Sequence, residues 1–114
     1  MDLPQILFSF SGRLNRLPYW GFNIGAPVAA FVLMMVAGVI LPDFLYSIGT
    51  VGFLVAYLWM GFAVGVKRAH DRGRGWWFVL LGFVPVLNLW PIVELGFLRG
   101  TVGDNQYGAD PLGD

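Results

Sequence analysis

The chain has 114 residues, of which 57% are hydrophobic and only 12% charged, and its seven cations balance its seven carboxylates. Soluble domains carry about 25% charged residues, so this chain has too little polar surface for a small water-soluble domain. It has no cysteine, which excludes disulfides, thiolate metal sites and a cysteine nucleophile.

Residues 1–18 are semi-apolar. Leu3, Ile6, Leu7, Phe8 and Phe10 precede Ser11-Gly12-Arg13-Leu14-Asn15-Arg16. This pattern predicts an interfacial segment with an apolar face and a cationic end. The next run, 19–41, is long enough to cross roughly 30 Å of hydrocarbon as a helix at 1.5 Å per residue. Arg13 and Arg16 precede a run of full spanning length, so this run is expected to stay as an anchor and not to be cleaved. Pro18 suits a helix start, and Tyr19 and Trp20 suit the headgroup boundary. Pro27 is placed to kink the span.

Pro42-Asp43 is the only break before a second apolar run, 44–66. So short a link predicts an antiparallel hairpin. Gly49, Gly52 and Ala56 share one helical face, and Gly61-xxx-Gly65 is a small-residue pair of the kind that lets membrane helices approach closely.

Residues 67–75 form a basic loop containing Lys67, Arg68, Arg72 and Arg74 with His70 and Asp71. If the preceding helix runs on, Lys67 and Arg68 come within one turn of Asp71. Cationic loops stay in the cytoplasm, so this loop and the N-terminus are both expected there.

The third apolar run, 76–98, opens with Trp76 and Trp77, interfacial anchors like Tyr19 and Trp20. It contains Pro85, Asn88, Pro91 and Glu94, so it is either a proline-kinked crossing or a re-entrant hairpin of two short helices. Glu94 is a costly residue inside a membrane and needs a partner. In a full crossing it reaches the outer surface or Arg99. In a re-entrant geometry it meets the cytoplasmic cations, Arg13, Arg16 or Arg68. The tail, 99–114, is rich in glycine and aspartate and reads as turns. It lies outside after three crossings and in the cytoplasm after a re-entrant third segment. The fold class expected is therefore one all-α membrane domain spanning 1–114. Its first two helical segments form a tight hairpin, and a proline-kinked third packs against them.

Three local patterns occur in order: Phe10-Ser11-Gly12-Arg13-Leu14-Asn15-Arg16 with Tyr19-Trp20; Lys67-Arg68-Ala69-His70-Asp71 through Gly75-Trp76-Trp77; and Gly100 through Gly103, Asn105, Tyr107-Gly108, Asp110-Pro111. Together they resemble domain-of-unknown-function family 805, small bacterial inner-membrane proteins. Lys67 stands for an arginine of the pattern, Ala69 for a leucine, and Arg74 where serine is common. The resemblance implies a multi-pass protein of the bacterial inner membrane and supplies no reaction. It also suggests that the three motifs belong to one site.

The candidate ligand is an anionic lipid or phosphate-bearing group at Arg13, Arg16, Lys67, Arg68, Arg72 and Arg74, since arginine's planar fork matches phosphate. The competing explanation of those charges is topology alone. His70, Asp71, Glu94, Asn105 and Tyr107 form a candidate polar cluster. One histidine without cysteine makes no metal site. There is no nucleophile–base pair, metal cluster or phosphate loop, so no catalytic residue, cofactor, enzyme activity or nucleic-acid partner is expected. The role expected is a small scaffold or lipid-interacting subunit. The alternative is a subunit of an oligomeric transporter or channel, with Asn23, Asn88 and Glu94 lining its axis. Partners are then membrane lipids, a second copy of the chain, or a larger membrane complex.

Overall fold

The structure is a computed structural model describing residues 2–112. It is all-helical, and among the described residues the only β-pairing is an isolated bridge between Asn105 and Gly108. Helix α1 spans Leu3–Phe8. Asp2 caps it in a reciprocal box with Gln5, each side chain bonding the other's backbone N–H. Helix α2 spans Arg16–Ile40, and α3 spans Asp43–Asp71. At 1.5 Å per residue both exceed the roughly 30 Å of a bilayer's hydrocarbon. By length and composition both can cross a membrane. Their surface suits hydrocarbon better than water: α2 buries no residue, and Phe31, Val39, Phe44 and Val55 are all exposed.

Helix α2 runs unbroken through Pro27. The α2–α3 contact includes Phe22 of α2 against Tyr57 of α3, and Tyr46 packs over Gly38. The glycines of α3 serve this contact less than their spacing suggests. A methyl group at Gly49, Gly52 or Gly61 would meet nothing within 4 Å, whereas at Gly65 it would touch Val79.

Two expected boundaries move. Residues 67–71 are the last turns of α3 and not a loop. Cations at a helix C-terminus complement its dipole, and Arg68 and Asp71 pair at i,i+3 (2.6 Å). The turn is confined to 72–75, where Gly73 takes φ +77°, a left-handed conformation that ends helices at low cost to glycine.

The third segment is not a kinked helix. Residues Trp76–Phe83 form a 3₁₀ helix and Leu89–Phe97 form α4. At about 2.0 Å and 1.5 Å per residue, each covers about half a bilayer's hydrocarbon. The prolines explain the break. Pro85 forces extended backbone on Val84, which stops the 3₁₀ helix. Pro91 lies in the first turn of α4, where its missing N–H costs little. Between them the chain reverses, bringing the Phe78 and Trp90 rings to 5.5 Å. Glu94 thereby returns to the basic end from which Trp76 departed.

Candidate functional site

The buried residues gather at that basic end: Arg13 and Leu14, 63–69 and Asp71 of α3, Phe78, Glu94 and Leu95 of α4, and Asp110. Charges sit at the centre of this cluster. Arg68 and Lys67 are 0% exposed. A buried charge is tolerated only when it is paired and hydrogen-bonded, so the partners decide what the cluster can do.

Asp71 is the hub. Its Oδ1 accepts from Arg13 Nε (3.0 Å), and its Oδ2 accepts from Arg68 Nη1 (2.6 Å). Arg13 fills its remaining donors with carbonyls of the tail: Nη1 to Gly103 (2.6 Å) and Gly108 (3.2 Å), Nη2 to Thr101 (2.5 Å). Asp110 completes the pairing, with its Oδ1 4.0 Å from Arg13 Nη2. N–H groups of Leu112 and Gly103 hold the Asp110 carboxyl below the ordinary carboxylate value, aided by the charges of Arg13 and Arg99. Arg68 gives Nε to Leu95 (2.6 Å), Nη2 to Leu98 (2.5 Å) and a longer bond to Leu14, all backbone carbonyls. One aspartate and two arginines therefore tie the N-terminal motif, the end of α3, α4 and the tail together.

The tail is held a second way. The Tyr107 ring stacks on His70 at 3.9 Å and 3°. His70 Nδ1 donates to the Gly12 carbonyl (2.9 Å), and Asn105 donates to the His70 carbonyl (2.9 Å). The Asn105 side chain also receives the Tyr107 N–H (2.8 Å). Gly100 crosses so close to Asp71 that a Cβ there would overlap the carboxylate. The Thr101 N–H, next in the chain, donates to the Asp71 backbone carbonyl (2.6 Å).

The other cations have local tasks. Lys67 Nζ donates to the carbonyls of Gln5 and Ile6, so it caps the C-terminal carbonyls of α1. Trp59 pins the same helix through the Phe8 carbonyl (3.0 Å). Glu94 accepts from Arg72 (3.1 Å), Arg74 (3.1 Å) and Trp90 (2.8 Å). Arg74 lies over the Phe78 and Trp90 rings. Arg16, exposed, gives one bond to the Phe97 carbonyl (2.9 Å).

Of the residues singled out in the sequence, Arg13, Arg68, His70, Asp71, Asn105 and Tyr107 meet in one cluster. Glu94 joins its edge through Arg72 and Arg74, partners not anticipated for it. Arg13, Lys67 and Arg68 are covered by protein, whereas Arg16, Arg72 and Arg74 keep some exposure. Trp76 and Trp77 are exposed, and Trp20 is tied to α4 through the Gly96 carbonyl (2.6 Å). Tyr19 turns toward a cleft described below. Gly100 and Thr101 stand out in the sequence only as part of the third motif, and Trp90 was not anticipated. No group of three or more potential metal ligands occurs among the described residues.

The three sequence motifs are thus one physical unit. The profile described as "Protein of unknown function (DUF805)" matches residues 7–109, which hold the first two motifs and all of the third except Asp110-Pro111. The chain belongs to the DUF805 family. It is 39% identical over 137 aligned positions to Uncharacterized protein YiiR of Escherichia coli strain K12, covering 96% of this chain and 90% of that one. It is 36% identical to Inner membrane protein YhaI of the same organism, with 90% and 85% covered. To Inner membrane protein YhaH it is 31% identical, with 90% and 86% covered. No solved structure matches. No enzymatic family is indicated by this DUF805 membership.

Proposed function

We propose that the chain is a non-enzymatic inner-membrane scaffold whose basic end rests on anionic lipid headgroups. In this reading α2 and α3 cross the bilayer, the 76–98 segment enters and returns, and both termini lie in the cytoplasm. Positive-inside charge supports the orientation. The observation that carries the scaffold role is the saturation of the charged cluster. Both carboxylate oxygens of Asp71 and every nitrogen of Arg13 and Arg68 are bonded within the protein. These bonds account for the charges of Asp71, Arg13 and Arg68 without any substrate. Such a cluster fixes one arrangement of four chain segments.

The lipid contact then falls to cations that keep exposure, Arg16, Arg72, Arg74 and Arg99, with Trp76 and Trp77 beside them. Each cation near an anionic surface contributes about 1 kcal/mol. Native mass spectrometry from mixed lipids, comparing phosphatidylglycerol with phosphatidylcholine, tests this. Arg16→Gln, which removes one backbone bond only, is expected to reduce phosphatidylglycerol retention about fivefold. Equal retention of both lipids by the parent chain would reject the lipid part. Periplasmic activity of a C-terminal reporter fusion would reject the topology.

A second reading, an oligomeric transporter subunit, draws on the open face of α3 at Gly49, Gly52 and Ala56, where small residues point away from the chain's own helices. A monomeric mass in mild detergent would argue against it.

A further inference from the structure

Beside the charged cluster, a cleft of about 260 Å³ opens between α2, α3, the 3₁₀ helix and α4. Its space comes from Gly61 and Gly82, where a methyl group would meet nothing within 4 Å. Most of its wall is apolar, but Tyr19, Asn23 and Tyr57 line it as well. No Lys, Arg, His, Asp or Glu does.

Those three polar residues are unusually placed. Tyr57 lies ten residues before Lys67, about 15 Å along α3 at 1.5 Å per residue, near the middle of a 30 Å hydrocarbon layer. Among the described residues the hydroxyls of Tyr19 and Tyr57 have no hydrogen-bond partner. Asn23 uses its side-chain N–H₂ once, toward the Tyr19 carbonyl (2.8 Å), which leaves a second N–H. Pro27 has no N–H to offer the Asn23 carbonyl, so that oxygen also lacks its usual helical donor. Hydrogen-bonding groups left unpaired in hydrocarbon are costly, and the surrounding lipid tails cannot satisfy them.

We propose that this cleft is a binding site, entered from the bilayer, for a neutral lipid-phase molecule bearing carbonyl oxygens, which accept hydrogen bonds from Tyr19, Tyr57 and Asn23. The absence of a charged lining excludes an ionic headgroup. Two hydroxyl donors and an amide N–H select an acceptor. The apolar walls take a flat ring or the upper part of an acyl chain, and the exposed rim residues Leu58, Phe83 and Ile92 face the hydrocarbon through which such a molecule arrives. This goes beyond the scaffold reading and needs only residence in the membrane.

Two sources carry this chemistry: a lipid-soluble quinone and the ester carbonyls of a phospholipid. The chain is reconstituted in nanodiscs free of quinone, and an alkylated 1,4-naphthoquinone is titrated. Saturable retention above that of empty nanodiscs, weakened about five- to tenfold by Tyr57→Phe and abolished by Gly61→Leu, establishes the quinone. If the quinone is not retained, native mass spectrometry from an equal mixture of diacyl and dialkyl phosphatidylcholine decides the second source. Preferential retention of the diacyl lipid, lost in Gly61→Leu, establishes the ester carbonyl. Asn23→Leu serves the same purpose should Gly61→Leu fail to fold. Absence of both signals, or signals unchanged by Tyr57→Phe together with a cleft-filling or Asn23 variant, overturns the site. Phosphatidylglycerol selectivity at Arg16 is measured separately, so either reading can fail without the other.

Discussion

At the end of the α2–α3 hairpin that carries Lys67–Asp71, side chains from five segments are buried together. At the opposite end, around Leu41 and Asp43, no residue is buried, and Val39 is 88% exposed. Helix α3 carries the contrast within one element: its buried residues all lie in 63–71. The basic end coheres by ionic and hydrogen bonds that it makes for itself. The far end has few protein contacts, so its helices depend on internal backbone bonds and on a surrounding apolar medium. Substitutions in the two regions should therefore act on different scales.

The largest effect is expected at Asp71. Asp71→Ala takes from buried Arg68 its carboxylate partner and leaves buried Arg13 with the more distant Asp110 at 4.0 Å. Breaking a buried ion pair by removing one partner costs about 3–5 kcal/mol. Arg13 and Arg68 would lose their shared acceptor at once, and Arg13 would lose the carboxylate that orients it toward the tail carbonyls. Unfolding in mild detergent, followed by circular dichroism, should show a loss near that magnitude, together with rapid proteolysis after residue 99. A change under 1 kcal/mol would mean that the cluster does not hold this end.

Glycines sharpen the same comparison with a smaller effect. Gly100→Ala drives a methyl group into the Asp71 carboxylate, while Gly49→Ala adds one to open space. Overpacking costs about 1–3 kcal/mol, so Gly100→Ala should destabilise by that amount. Gly49→Ala should be neutral or stabilising by up to about 1 kcal/mol through helix propensity. Equal effects at the two positions would contradict the division of the molecule into a clasped and an open end.

The sequence makes the open end legible and the clasped end only partly so. Length and hydropathy are local quantities, and they mark α2 and α3. They misplace the boundaries at Arg16 and Asp71, because hydropathy marks where the apolar run ends and not where the helix does, and Lys and Arg are good helix formers. Nothing in the string of residues records that Lys67 is taken up by the carbonyls of Gln5 and Ile6. Backbone carbonyls take most of the donors of Arg13 and Arg68, and every residue has one, so they leave no signal in a sequence. Glu94 demanded a partner, but which arginines it would meet depended on a chain reversal. Pro85 and Pro91 mark that reversal as irregular. Its sharpness comes from Val86, whose conformation is not written in its residue type.

Val86 is the case where a substitution should have the opposite sign. It adopts φ +71°, the left-handed region, although its side chain is β-branched. That conformation costs a non-glycine residue about 1–2 kcal/mol. The side chain is 78% exposed, so little packing compensates. Val86→Gly removes the strain but gives the unfolded chain more freedom, which offsets about 0.5–1 kcal/mol. The net expectation is a stabilisation of up to about 1 kcal/mol, seen as a higher thermal midpoint. Val86→Ala, which still has a Cβ, should gain less than Val86→Gly. Were Val86→Gly to destabilise instead, the reversal at 84–88 would owe its shape to contacts of the valine side chain, and the far side of the 76–98 hairpin would belong with the clasped region.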